Sequence, residues 1–105
     1  MSWAILRSRI ARADLSELWL GIASEDVSAA DRWLDRIDVS IKRLERFPEI
    51  GRPRDDIAPG LRGRVSGKTL ILYRLDELAH NILILRVIDG RRDLAKLFAE
   101  RNASP

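Results

Sequence analysis

The sequence predicts a single α+β domain in which a helical hairpin packs on one face of a small, mainly antiparallel sheet. Three observations lead to this fold class. Apolar residues recur at helical spacing in the first half of the chain, strand-length apolar runs fill the second half, and a proline-rich loop separates them. The 105 residues are enough for one hydrophobic core and too few for a second domain. The expected element order is β-α-α-β-β-β-α.

The first two elements are a short strand and an amphipathic helix. Residues 3–7 form a brief apolar run that Ser8 closes, which predicts a strand. Apolar residues then recur every three or four positions, so that they form one stripe along a helix. This stripe contains Ala11, Leu15, Leu18, Trp19 and Ile22.

A second helix is predicted over residues 29–46, after a polar break at residues 24–28. Ser28 is a suitable N-cap, and Asp31 three residues later resembles the acidic partner of a capping box. Pro48 ends the helix, because proline cannot continue the hydrogen-bond pattern. The apolar side of this helix contains Ala30, Trp33, Leu34, Ile37, Ile41 and Leu44.

The second half begins with a loop, residues 48–60, that holds three of the four prolines and is long enough to suggest a function. Three strands and a short helix follow. The last strand is apolar on both faces, which is typical of a central strand. We expect strands at residues 61–66, 69–75 and 82–88, a tight turn at Gly67-Lys68, and a helix at residues 91–100.

Positive charge is concentrated in the second half of the chain. The formal net charge is +3, from 19 Lys and Arg against 16 Asp and Glu. Residues 1–50 carry a slight negative excess, whereas residues 51–105 carry a positive excess made mostly of arginine. Arginine binds phosphate and carboxylate in a bidentate manner, so this excess is compatible with an anionic partner. It is equally compatible with ordinary composition and solubility.

Composition narrows the location and the chemistry. The sequence has no cysteine, no apolar run of membrane-spanning length and no signal-peptide pattern at its start, so we expect a cytoplasmic protein. His80 is the only histidine, and it lies in a predicted polar turn. We find no glycine-rich phosphate loop and no nucleophile elbow. We therefore expect no metal, no cofactor and no conventional hydrolase chemistry.

A metal-free nuclease stays open at this point. Arginine and lysine can stabilise a pentavalent phosphorane, and a tyrosine or histidine can transfer the proton. Tyr73 is the only tyrosine, and the pattern around it fits either the core or the surface.

An ordered set of short motifs resembles the ParE-type toxins of the RelE/ParE superfamily of bacterial toxin–antitoxin systems. The set extends from about residue 3 to residue 97, and each motif alone is weak. Its members are Ala13-Asp14-Leu15 with Leu18-Trp19 and Ile22-Ala23, Pro48-x-x-Gly51-Arg52-Pro53-Arg54, Gly60-Leu61-Arg62, Ile71-Leu72-Tyr73-Arg74, and residues 84–94. The resemblance implies the same fold that the periodicity predicts.

The resemblance also implies a function and two protein partners. ParE-type toxins inhibit DNA gyrase and are neutralised by a ParD-like antitoxin, so DNA would be contacted only through the antitoxin or gyrase. RelE-type relatives instead cleave messenger RNA on the ribosome, commonly with a late Tyr or His. This chain has neither after His80, and Asp89 stands where many ParE-like sequences carry His. Two alternatives remain: an RNA endonuclease of the RelE type, and a degenerate member that binds only its antitoxin.

Candidate contact residues follow from the resemblance, and none is expected to be catalytic. For Arg86 the competing interpretation is an ion pair with Asp89 or Asp93, and most of the helical stripe is expected to be core. The expected target-facing residues are Arg86, Arg91 and Arg92, with Arg62 and Arg64 as weaker candidates. The expected antitoxin-facing residues are Leu15, Trp19, Ile22, Trp33, Ile37 and Tyr73.

Overall fold

The structure, a computed structural model, describes residues 2–90, in which two helices cover one face of a five-stranded mixed sheet. The α+β prediction is confirmed. The helix predicted at residues 91–100, together with Arg91, Arg92 and Asp93, lies outside the described residues. The elements are β1 (Ala4–Arg7), α1 (Arg9–Ala23), α2 (Val27–Lys42), a 3₁₀ turn (Arg43–Glu45), β2 (Arg52–Pro53), β3 (Arg62–Ser66), β4 (Thr69–Asp76) and β5 (Asn81–Asp89).

The strands lie in the order β1-β5-β4-β3-β2. β1 runs parallel to β5, with Ala4 opposite Asn81, and the other pairs are antiparallel. The central position of β5 agrees with its apolar character on both faces. β2 was not predicted, because two residues inside a proline-rich loop show no alternating pattern; its pairing with β3 places Arg52 opposite Gly63.

The start of each helix is fixed by a side-chain cap. Ser8 Oγ accepts the Ala11 amide at 2.9 Å and donates to the Leu85 carbonyl at 3.0 Å, so it ties the first turn of α1 to β5. The predicted N-cap of α2, Ser28, is wrong. Asp26 has extended backbone and its carboxylate accepts the Ala29 amide at 3.1 Å, so that the helix begins two residues earlier than expected.

The expected capping role of Asp31 is also wrong, because its carboxylate instead accepts the Trp19 indole N–H at 3.1 Å across the hairpin. At its other end α2 stops at Lys42, and one 3₁₀ turn replaces the predicted continuation to residue 46.

The sheet separates two apolar cores. The larger core lies under the helices and includes Ile71 and Tyr73 from β4. The smaller core lies on the opposite face, where Leu70 and Leu72 pack with Leu61 and with Ile57 and Ala58 of the loop before β3. β4 is therefore buried on both faces, as its apolar run predicts.

A β-bulge adjusts β5 against β4 at the middle of the sheet. Leu72 lies opposite Arg86 and Tyr73 lies opposite Ile84, so that Leu85 is the extra residue between the two pairs. Its carbonyl is the one that accepts the Ser8 hydroxyl. Within residues 2–90, neither helix has the length and apolar character required to cross a bilayer.

The capping geometry predicts unequal effects of two nearby substitutions. Asp26→Ala should lower the free energy of unfolding by about 1 kcal/mol, because the Ala29 amide loses its acceptor. Ser28→Ala should change it by only a few tenths of a kcal/mol, because Ser28 is exposed within the first turn. Urea unfolding of the two variants checks this. Equal losses in both would contradict the assignment of Asp26 as the cap.

Candidate functional site

Arg86, the first target-facing candidate, is buried rather than presented to a partner. Its Nε donates to Asp14 Oδ2 at 2.7 Å and its Nη2 donates to Asp14 Oδ1 at 3.1 Å. The two side chains are only 4% and 5% exposed. The expectation that Arg86 faces the target is therefore wrong for this fold. The competing interpretation was an ion pair with Asp89 or Asp93. The structure shows an ion pair with Asp14, 72 residues away, and Asp93 lies outside the described residues.

The Asp14 carboxylate has a second task beside that ion pair. Its Oδ2 also accepts the Val87 amide at 3.0 Å, on the part of β5 that extends beyond the last residue paired with β1. Asp14 thus supplies an acceptor to the sheet backbone and a counter-charge to Arg86 at once. Three hydrogen bonds are the condition under which a carboxylate can be buried at acceptable cost.

Arg62 and Arg64 lie on β3, two residues apart and so on the same face of the strand. Arg62 Nη1 donates to the Gly51 carbonyl at 2.8 Å and to the Glu49 carbonyl at 3.2 Å, so this arginine holds the loop that precedes β2. Arg64 is partly exposed, but its Nε is buried without a hydrogen-bond partner among residues 2–90. Arg64 thus has a side-chain donor that no hydrogen bond within this part of the chain uses, whereas Arg62 uses its Nη1 to hold the loop.

Two further arginines also serve the long loop. Arg74 donates through Nε and Nη2 to the Pro59 carbonyl, at 3.2 and 3.0 Å. Arg54 donates through Nε and Nη2 to the Asp56 carboxylate, both at 2.9 Å, and this hydrogen bonding holds the pKa of Asp56 below its usual value. Part of the positive excess of the second half therefore stabilises the loop through intramolecular hydrogen bonds.

Tyr73, an expected antitoxin contact, is fully buried, and that expectation is wrong. Its hydroxyl donates to the Pro48 carbonyl at 2.7 Å and accepts the Gly51 amide at 2.9 Å. Burial raises the pKa of Tyr73 above the ordinary value of 10.0. The hydroxyl is thus a neutral structural link between β4 and the loop.

Gly51 fits beside this hydroxyl only because it has no side chain. A Cβ at Gly51 would lie 2.6 Å from the Tyr73 hydroxyl oxygen and 2.7 Å from Cε1 of the same ring. The Pro48-x-x-Gly51 motif was noticed in the sequence, but its role was missed, because its partner stands more than 20 residues later on β4. Spacing within a loop cannot reveal a partner on a distant strand.

The remaining antitoxin candidates differ in exposure. Ile37 is completely buried in the larger core, so the expectation that it contacts a partner is wrong. Leu15 and Trp33 are each 9% exposed and contribute only an edge to the surface. The Trp33 indole N–H donates to Thr69 Oγ1 at 3.0 Å, which fixes the ring over the sheet. Trp19 is partly exposed, as is Ile22.

Trp19 forms the wall of an open groove on the outer side of the helical hairpin, which we call the hairpin groove. Its volume is about 510 Å³. Leu20, which is off the predicted apolar stripe and was missed for that reason, adds an exposed apolar side chain. The groove is lined by Leu15, Ser16, Trp19, Leu20, Asp31 and Leu34.

Ile22 and Trp33 instead line a second groove, of about 440 Å³, at the junction of the helices with the β3–β4 turn. Lys68 and Asp89 also contribute to this junction, so it is more polar than the hairpin groove. The predicted antitoxin residues are thus divided between two depressions and the core.

His80 is not a bare surface residue. It adopts a positive φ of 58°, and its ring stacks on Trp3 with centroids 4.1 Å apart. Among residues 2–90 no three His, Asp or Glu side chains are placed to hold a metal ion together.

Comparison with known proteins agrees with this arrangement. The family model described as ParE toxin of type II toxin-antitoxin system, parDE, matches residues 5–94. The chain is 36% identical over 92 residues to Toxin ParE3 of Caulobacter vibrioides, covering 87% of this chain and 90% of that protein.

Two solved structures share the fold at lower identity. The chromosomal ParDE toxin–antitoxin system from P. aeruginosa superposes with a TM-score of 0.72 at 21% identity, over 84% of this chain and 96% of that one. The toxin–antitoxin complex RelBE2 from Mycobacterium tuberculosis gives a TM-score of 0.68 at 24% identity, over 85% and 99%.

Breaking the buried ion pair from one side should be strongly destabilising. Asp14→Asn should lower the free energy of unfolding by about 3–5 kcal/mol, because it removes the negative charge of the carboxylate that pairs with the buried Arg86 guanidinium. The matched control is Asp38→Asn, which removes an exposed carboxylate 3.4 Å from Arg7 and should cost less than about 1 kcal/mol. Chemical denaturation of both variants measures the difference. A small effect at Asp14 would contradict the structural role given to the pair.

Removing the Tyr73 hydroxyl should loosen the loop. Tyr73→Phe should cost about 1–3 kcal/mol, because the buried Gly51 amide loses its acceptor. Since burial raises the pKa of Tyr73 in the folded state, wild-type stability should also fall as pH rises above about 10, where the unfolded chain ionises first. Denaturation at pH 7 and in alkali checks both effects. The variant should lack that contribution to the alkaline loss, and an identical alkaline profile would contradict the assignment.

Proposed function

Because this chain belongs to the ParE toxin family of type II toxin–antitoxin systems, we propose that it arrests growth by inhibiting DNA gyrase. It is the toxin component of such a system, and its partner is an antitoxin. We further propose that the target is gyrase, that the antitoxin is ParD-like, and that the toxin acts in the cytoplasm, where its target works. DNA then enters the complex only through the antitoxin or gyrase.

The observation that carries the gyrase proposal is the burial of Tyr73. The chain has one tyrosine and one histidine, and a tyrosine or histidine can carry out the proton transfer in a metal-free nuclease. The Tyr73 hydroxyl is fully engaged with the Pro48 carbonyl and the Gly51 amide, and it has no route to a substrate. His80 stacks on Trp3, away from the arginines of β3. These contacts favour inhibition by binding over cleavage of RNA.

The antitoxin, in this proposal, places an apolar segment in the hairpin groove. Trp19 and Leu20 provide the exposed apolar surface there, with the edge of Leu15 beneath them. The Trp19 ring is held by its bond to Asp31, so little side-chain freedom is lost on binding. Ile22 and the edge of Trp33, in the second groove, form a less apolar neighbouring contact.

The target is tested by adding purified toxin to gyrase, relaxed plasmid DNA and ATP. We expect loss of supercoiling, restored by stoichiometric antitoxin, and growth arrest when the toxin is expressed alone. Codon-dependent cleavage of ribosome-bound messenger RNA, with supercoiling intact, would favour the RelE-type alternative. Absence of growth arrest, with antitoxin binding retained, would identify a degenerate member.

A further inference from the structure

Residues 46–52, which we call the anchored loop, lead from the 3₁₀ turn into β2. Their backbone is held from below by two side chains of the sheet. Tyr73 binds the Pro48 carbonyl and the Gly51 amide, and Arg62 binds the Glu49 and Gly51 carbonyls. An internal turn bond from the Ile50 amide to the Phe47 carbonyl, 3.1 Å long, adds to these. Six backbone groups in seven residues are therefore fixed.

The side chains of this loop are left to solvent. Phe47 is 55% exposed and Ile50 is 45% exposed, and the turn bond between their backbones keeps them close together. Hydrogen bonds fix the conformation of the loop backbone, yet the side chains of Phe47 and Ile50 stay out of the core. A fixed backbone that displays apolar side chains is suited to binding, because little entropy is lost when a partner arrives.

Arginines precede and follow the two apolar side chains along the chain, with Glu45 and Glu49 among them. Arg46 and Arg52, the two ends of the loop, are exposed, and so is Arg43 one turn earlier. Glu49 is the one acidic residue within the loop. Apolar groups bordered by arginine are typical of protein–protein contact surfaces. The complementary surface carries carboxylates around an apolar depression.

A protein partner fits this surface better than a nucleic acid. Single-stranded nucleic acid binds by stacking successive bases on aromatic rings along a cationic groove. The anchored loop offers one ring, Phe47, and its neighbour Ile50 is aliphatic. The described loop therefore lacks the run of stacking rings that single-stranded nucleic acid requires.

We propose that the anchored loop is the surface through which this toxin contacts its target, and that the target offers an acidic protein surface with an apolar depression. The proposal rests on the proposed function, in which that target is gyrase. The loop follows the C-terminal end of α2, and Leu34 of the hairpin groove lies eight residues, about 12 Å, before that end. Target and antitoxin contacts are thus separable by substitution.

The test compares substitutions of exposed residues inside the loop with substitutions of exposed apolar residues outside it. Phe47→Ser with Ile50→Ser removes the apolar pair, and Arg46→Glu with Arg52→Glu reverses the charge around it. The matched control is Val39→Ser with Leu78→Ser, which are exposed apolar residues outside the loop. Each variant is assayed for thermal unfolding, for affinity to the antitoxin by calorimetry, and for inhibition of gyrase supercoiling.

We expect both loop variants to need at least tenfold more protein for half-inhibition of gyrase, while affinity for the antitoxin stays within about twofold. The control should match wild type in both assays. Full gyrase inhibition by the folded loop variants would overturn the proposal and leave the gyrase function intact. Tight binding of wild type to plasmid DNA alone, lost on charge reversal, would overturn it in favour of nucleic acid.

A separate outcome distinguishes failure of the proposed function from failure of the proposal about the loop. If wild type leaves gyrase untouched yet arrests growth, the same variants are scored by growth after induction without antitoxin. Loss of arrest in the loop variants alone would support the loop as the contact with another protein target. Retained arrest in them, or no arrest by wild type, would overturn the proposal.

Discussion

The helices are fixed to the sheet by the Asp14 carboxylate, which accepts hydrogen bonds from the Arg86 guanidinium and from the Val87 amide. Ser8, one residue before the start of α1, provides a second polar attachment to the sheet. The two attachments bind neighbouring residues of β5, the strand that pairs with β1 on one side and with β4 on the other. Because α2 packs on α1 through the same core, the placement of the whole hairpin depends on this carboxylate. The position of the hairpin groove therefore also depends on the Asp14 carboxylate.

Sequence periodicity was sufficient for elements whose pattern is local. The hairpin, the two-residue turn after β3 and the central strand β5 each depend on residues within about a dozen positions, and all were predicted. Two errors in the candidate site arise because a side chain has a distant partner. Arg86 finds Asp14 across most of the chain, and Tyr73 finds Pro48 and Gly51 across a loop. Spacing rules describe neighbours along a helix or strand, and they hold no information on such pairs.

The same limit explains why net charge was a poor guide to the candidate site. Four arginines of the second half hold internal oxygens, three of them on the loop between α2 and β3. A count of cations cannot separate a guanidinium that caps a carbonyl from one that meets solvent. Among the described residues of the second half, Arg52 is exposed at the end of the anchored loop, whereas Lys68 lines the groove at the β3–β4 turn. The other exposed arginines near Phe47 and Ile50, Arg43 and Arg46, belong to the first half.

The parallel pairing of β1 with β5 has a consequence for the order in which the chain can assemble. Ala4 and Asn81 are neighbours in the sheet, although 76 residues of chain lie between them. During synthesis the first strand must wait, unpaired, until the last strand has been made. A partial chain that ends before β5 cannot form the complete sheet or the ion pair between Asp14 and Arg86. A ribosome that stops before β5 therefore releases a fragment that cannot form the complete domain.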